Sequence, residues 1–347
     1  MHHTAESAVD FESVLERLRT ESVRHFATPH ARMEPRRLFV RPFSQVLEVD
    51  IEAGGRAISA FVKILKPRSD GPQELEATRR HIAREFEVMA RVHEGFGAHS
   101  GLSTARPIAC YPELLAMVTE RVDGVPLHRL LARARGFPSK AVVEHLSGTM
   151  HQVGAWLRTF QALDDPDGRV SLDQMRGYLD KRLEPLANGG IIGGDVRVRL
   201  LGYFDDLARN VPPSDLASVP VHADFTPENV IVRDRDVSVL DFTMAKRGAR
   251  YLDLSHMFMQ VNLLKAKPWF RSAVIDALTS ALIGGFDPLL RTDHPLFELL
   301  LLQHVVCQLR QMQLDPPALP SRIYAEFLRR RHLAWIEERG AAPTYPR

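Results

Sequence analysis

The sequence predicts a two-lobed α+β protein, with a small strand-rich N-terminal lobe carrying one main helix and a larger, mostly helical C-terminal lobe. Three observations predict this. Residues 37–66, "RLFVRPFSQVLEVDIEAGGRAISAFVKILK", read as three strands with a tight turn at Gly54-Gly55. After the turn signal Asp123-Gly124, helical periodicity dominates almost to the end. A chain of 347 residues is also long enough for two cores.

In chain order, residues 8–27 predict an amphipathic helix, with Val9, Phe11, Val14, Leu15 and Leu18 at helical spacing. A helix over about 73–95 follows the three strands, with Ile82, Phe86, Met89 and Val92 on one face. "RPIACY" and "LLAMVTERV" predict a strand pair around "YPE". Helices follow at about 126–135, 139–163, 171–187, 196–210, 251–265, 270–284, 294–313 and 320–338, interrupted by two short strands in "NVIVRD" and "VSVLDF". The expected division is a helical extension (1–36), an N-lobe (37–122, with a hinge at about 118–124) and a C-lobe (123–347). "NGGIIGGD" at 188–195 lacks the Gly-Lys-Ser/Thr of a phosphate loop and reads as a connector.

Bulk properties exclude several classes. A formal charge of +2 without a long basic run argues against nucleic-acid binding. Cys110 and Cys307 lie far apart in apolar surroundings, which excludes a disulfide framework or cysteine-rich zinc site. The start has no apolar secretion core. Glu298, Gln303 and His304 interrupt "HPLFELLLLQHVVCQL", so no membrane span is expected and the chain reads as cytoplasmic. Nothing in the sequence indicates an oligomeric state.

The chemistry concentrates in "HADFTPENVIVRDRDVSVLDFT", residues 222–243. Phosphoryl transfer asks a protein mainly to align a hydroxyl with the transferred phosphate and to neutralise charge on its oxygens. His222, Asp224 and Asn229 have H-x-D-x-x-x-x-N spacing, which supplies a proton acceptor and an amide ligand for magnesium on one loop. One strand leaves this loop and the next returns, bringing Asp241 back as a second oxygen ligand, the type a hard cation prefers. Lys63, alternating with Phe61 and Leu65, has the strand context of a lysine that steadies nucleotide phosphates; Lys66 at the strand end is its competitor.

"HADFTPENVIV" and "VLDFTMAKRGARYLDLS" resemble the catalytic core of the aminoglycoside phosphotransferase and choline kinase family, relatives of the protein kinases. The resemblance runs from about 37 to 265 and is densest over 221–255. It implies a bilobal protein-kinase-like fold with ATP and Mg2+ as cofactors. By the same resemblance Asp224 is the catalytic base, Asn229 and Asp241 bind magnesium, and Asp253 braces the loop, although an N-cap role for Asp253 stays open. Glu85 is implied as the partner of Lys63. Glu120 is implied to offer its carbonyl to adenine and Val122 its amide and carbonyl, with Thr119 lining the pocket. The turn "VRPFSQV" holds no glycine, and Ser44 stands where related enzymes carry a phosphate-touching serine. Ala223 replaces the family's usual glycine, and Gln161 stands where the family often has histidine.

The expected partner is a small hydroxylated acceptor. Thr226 stands where protein kinases carry a lysine, and no A-P-E element follows Asp241, which disfavours a protein substrate. From residue 254 onward eight Asp/Glu face eleven Lys/Arg, a poor match to polycationic aminoglycosides. A sugar, glycan or lipid-linked intermediate is favoured. Lys265, Lys267, Trp269 and Arg271 in "KAKPWFR" read either as a basic, aromatic rim for such an acceptor or as a solvated helix junction. The alternatives are an aminoglycoside kinase and an inactive nucleotide-binding module; the latter usually lacks the base or a metal ligand, and here all three residues are present.

Overall fold

The computed structural model describes residues 11–69, 71–97, 101–314 and 319–341; Val9 and the rest of the first ten residues lie outside them. The chain forms two compact units, residues 1–124 with 238–245, and residues 125–237 with 246–347.

The first unit opens with α1 (Phe11–Thr20) and α2 (Ser22–Phe26). The single helix expected over 8–27 is thus interrupted at Glu21, and α2 ends on Ala27 in a left-handed conformation. Next come β1 (Ala31–Val40), β2 (Ser44–Ala53), β3 (Arg56–Leu65), α3 (Pro72–Phe96), β4 (Leu102–Thr104), β5 (Pro107–Tyr111) and β6 (Ala116–Glu120). β1 begins six residues earlier than the alternation suggested, because a bulge between Pro35 and Arg37 breaks its period. Strands β1-β2-β3-β6-β5 form one antiparallel sheet.

Period-2 alternation gives this sheet two distinct faces. Ala60, Val62 and Ile64 of β3 point to one face and pack with Val49, Ile51 and Val118 against Val14, Leu15 and Leu18 of α1. Phe61, Lys63 and Leu65 therefore point to the other face. α3 buries a helical stripe of Thr78, Ile82, Glu85, Met89, Val92 and Phe96, so a glutamate sits in an otherwise largely apolar row.

The second unit contains β7 (Val125–Pro126), α4 (Leu127–Leu131), α5 (Lys140–Gln161), α6 (Leu172–Asn188), α7 (Gly194–Arg209), β8 (Ser218–Val221) and β9 (Val230–Arg233). The unit boundary passes through β10 (Asp236–Val239). β11 (Lys246–Ala249), α8 (Leu252–Asn262), α9 (Ser272–Phe286), α10 (Pro295–Leu314) and α11 (Leu319–Ala341) complete it. α5 and α9 cross so closely that a Cβ at Gly154 or Gly285 would overlap the backbone of the opposite helix. Beyond the expected strand pair, β8 pairs antiparallel with β11, and β7 with β9. These short segments escaped sequence reading because they hold too few residues to alternate, and Pro220 interrupts β8. Among the described residues no helix is long and apolar enough to cross a membrane.

Candidate active site

One group of the expected residues meets inside the first unit. Lys63 Nζ lies 2.8 Å from Glu85 Oε1, 3.1 Å from Asp241 Oδ1 and 3.0 Å from Thr243 Oγ1. The lysine side chain is 17% exposed and that of Glu85 only 1%, so this is a desolvated ion pair. Burial opposes the Lys63 charge, but the Glu85 and Asp241 carboxylates outweigh it and hold the pKa above the usual lysine value. The register that turns Lys63 away from the α1 core brings it to Glu85.

Asp241 has φ +66°, a left-handed conformation that costs a residue with a Cβ about 1–2 kcal/mol. Thr243 Oγ1 donates to Asp241 Oδ1, which holds the carboxylate between hydroxyl and ammonium. Thr243 was assigned no role from the sequence, and this tether was missed. Its signal was a hydroxyl two residues after the aspartate, the spacing of a local side-chain turn.

Ser44 is the first residue of β2 and pairs with Leu65, so register puts its side chain on the Lys63 face. It is 8% exposed. Glu120 ends β6; its amide donates to the Arg106 carbonyl at 2.9 Å and its carboxylate pairs with the Arg106 guanidinium at 2.6 Å. The Arg121 amide donates to the Ser59 carbonyl at 2.8 Å, so backbone bonds hold the chain as far as Arg121, next to Val122.

A second group meets inside the second unit. β8 delivers His222, and β11 carries the chain back to Asp253 in the first turn of α8. The Asp253 carboxylate accepts the His222 amide at 2.6 Å and the Ala223 amide at 2.8 Å. Tyr251 occupies the cap position of α8, so the N-cap role left open for Asp253 does not apply. Burial pushes the Asp253 carboxyl up to about 7, opposed by the two backbone donors. His222 is fully buried, with its ring edge-on to Phe225.

Ala223 has φ +62°. That conformation explains why glycine suits the position, since glycine has no Cβ to strain. Phe225, fully buried, stacks on Trp156 at 5.7 Å and fixes the loop to α5. Asn229 Nδ2 donates to both the carbonyl and Oδ2 of Asp224, each at 2.9 Å. With both amide hydrogens directed at Asp224, the atom Asn229 has left for a cation is its amide oxygen. Gln161 Nε2 donates to the Arg250 carbonyl at 2.8 Å, tying α5 to the segment that carries Asp253.

Among the described residues no group of three or more His, Cys, Asp or Glu is arranged to hold a metal ion by itself. The Asp241 carboxylate of the first unit and the Asn229 amide oxygen of the second are each the type of donor that a hard cation such as magnesium takes.

A small antiparallel-sheet unit bearing a lysine–glutamate pair, and a helical unit bearing an aspartate–asparagine loop, define a protein-kinase-like fold. The model of the phosphotransferase enzyme family (APH) matches residues 45–289, and the chain belongs to that family. Among solved structures, it is similar to a thermostable mutant of aminoglycoside phosphotransferase APH(4)-Ia in ternary complex with ADP and hygromycin B. The TM-score is 0.54 at 17% identity, covering 96% of this chain and 100% of that one. A choline/ethanolamine kinase family protein from Mesorhizobium loti gives a TM-score of 0.53 at 17% identity, covering 96% of this chain and 97% of that one. None of the curated proteins matches the chain.

Proposed function

We propose that this protein uses ATP with Mg2+ to phosphorylate a hydroxyl group of a small molecule. The observation that carries the reading is the buried Lys63–Glu85 pair, with the same ammonium touching Asp241. A lysine oriented by a desolvated glutamate is a fixed positive charge, suited to the α- and β-phosphates of a nucleotide. Similarity to structures holding ADP or AMP-PNP supports nucleotide use.

In this mechanism Asp224 orients the acceptor hydroxyl and takes its proton as the oxygen bonds to the γ-phosphorus; the bond to the bridging oxygen breaks and ADP leaves. Asn229 holds the Asp224 carboxylate in place through its amide hydrogens. Asp253, by gripping two successive amides, keeps the loop in its strained turn. Asp241 and Asn229 are the residues that would hold Mg2+, and the ion would supply neutralisation of phosphate charge. Lys63 steadies the phosphates, Ser44 lies on the same sheet face for a phosphate contact, and backbone groups of Glu120 and Val122 receive the adenine.

The acceptor class follows from charge. The excess of cations over acids after residue 254 supports a sugar, glycan or lipid-linked intermediate over a polycationic aminoglycoside. The first test is thermal: a ligand bound only by the folded chain at a hundred times its Kd stabilises it by about 2.7 kcal/mol. ATP with Mg2+ is expected to raise the melting temperature more than ATP alone, and Asp241→Ala to remove the difference. A native chain that melts identically with and without ATP contradicts the proposal.

A further inference from the structure

Lys63 is fully committed before any phosphate arrives. An ammonium has three hydrogens to donate and no lone pair to accept with. One hydrogen goes to Glu85 Oε1 at 2.8 Å, one to Asp241 Oδ1 at 3.1 Å and one to Thr243 Oγ1 at 3.0 Å. All three partners belong to the first unit. Two carboxylates around one ammonium also leave the cluster with a net negative charge, which repels phosphate until a cation neutralises part of it. A lysine that is to hold nucleotide phosphates must therefore give up a partner, and burial decides which.

Glu85 stays. Its side chain is 1% exposed, and releasing the ammonium would strand its charge away from water. Asp241 can leave, because its side chain is 44% exposed and water or a cation can receive it. Thr243 resists that departure. Its hydroxyl accepts from Lys63 and donates to the same Asp241 oxygen that the ammonium touches, so the three groups close a ring of hydrogen bonds. One hydrogen and two lone pairs let a hydroxyl make both bonds at once. The backbone beneath it is fixed. Thr243 sits in the short helical turn Phe242–Met244, which packs against α3. Phe242 is 1% exposed, and the Ala245 amide donates to its carbonyl at 2.9 Å.

We propose that Thr243 is a positioning residue that makes nucleotide binding conditional on the divalent cation: by holding Asp241 on the Lys63 ammonium, it keeps the lysine closed to phosphate until a cation takes the carboxylate. The proposal rests on the phosphotransferase reading above and adds an order of events to that site. Removing the hydroxyl frees one lysine hydrogen and loosens Asp241 together, so metal-free nucleotide gains a donor that the native chain withholds. With Mg2+ present the carboxylate has its own cation, and the hydroxyl matters less. A threonine that only supported the fold would change both affinities together.

The test is calorimetric titration of the full chain with ADP, which allows no turnover, once in EDTA and once in excess Mg2+. The native chain is expected to bind weakly in EDTA and to gain strongly from Mg2+. Thr243→Val, which keeps the shape and deletes the hydroxyl, is expected to bind at least fivefold more tightly than the native chain in EDTA, with a correspondingly smaller gain from Mg2+. Thr243→Ser restores the hydroxyl and is expected to restore the native dependence. Thr243→Ala, which places no methyl group against the ammonium, decides the matter where the Val variant does not match the native circular dichroism. Native affinity in EDTA for the variants lacking the hydroxyl, or a Ser variant that behaves like them, overturns the proposal while the phosphotransferase reading stands. A native chain that binds no ADP even with Mg2+ removes that reading and this inference with it.

Discussion

Replacing Lys63 by methionine keeps the length of the side chain and deletes its charge. Glu85, 1% exposed, then loses the Lys63 ammonium from its Oε1, while its Oε2 has no hydrogen-bond partner among the described residues. Breaking a buried pair by removing one partner costs roughly 3–5 kcal/mol, because the other charge stays behind uncompensated. Lys63 is itself 17% exposed, so water reaches the pair and the lower end, about 3 kcal/mol, applies. The third member, Asp241, is 44% exposed and adds little to the sum. For a unit of this size the loss lowers Tm by roughly 10 °C. The assay is thermal unfolding followed by circular dichroism, without nucleotide. Adding Glu85→Gln to Lys63→Met removes the stranded charge and is expected to restore most of the loss. A single variant that melts like the native chain, or a double variant no better than the single one, refutes the reasoning.

The remaining predictions concern the Asp224 loop. Asp224→Ala is expected to reduce acceptor phosphorylation by about 10²–10⁴-fold, the usual range for a general base, while ATP still shifts the melting temperature; loss of both would point to unfolding instead. Asp253 has a folded pKa of about 7 against an ordinary 3.8, so its contribution to stability is full below the ordinary value and is lost as pH rises through about 7. Melting temperature measured across that interval should fall less steeply in Asp253→Asn, which should also cost about 1–2 kcal/mol by turning an amide toward two backbone donors. Ala223→Gly relieves a left-handed alanine worth about 1–2 kcal/mol, partly offset by about 0.5–1 kcal/mol of glycine chain entropy. Its melting temperature should equal or slightly exceed the native value, and a clear drop would mean the methyl group packs more usefully than its backbone strain suggests.

The parts of the fold legible in sequence were those with room for a period to show. β2, β3 and α3 run for 10, 10 and 25 residues, and their alternation or helical stripe was readable. The interruption after α1 was not, because Glu21 and Ser22 are compatible with a continuing helix and Ala27 gives no sign of its positive φ. β8 and β11 are four residues each, and only their pairing with one another identifies them. In the candidate site, Asp224, Asn229 and Asp241 stood out by their spacing and Lys63 by its strand context, while the roles of Glu85 and Asp253 came from the family resemblance. Thr243 and Gln161 did not stand out as tethers, since a hydroxyl or an amide has a role only through a partner the fold supplies. The backbone bridge between Arg135 and Phe270 joins residues far apart in the sequence, and no local pattern announces it.

Phosphoryl transfer itself is tested most directly by following the γ-phosphate of labelled ATP in the presence of Mg2+, with native chain and Asp224→Asn side by side. The account predicts label on an alcohol acceptor with the native chain, and a loss of at least a hundredfold in the variant, which still binds the nucleotide. Label that moves equally well in both, or that never leaves ATP when the native chain is saturated with nucleotide, contradicts it.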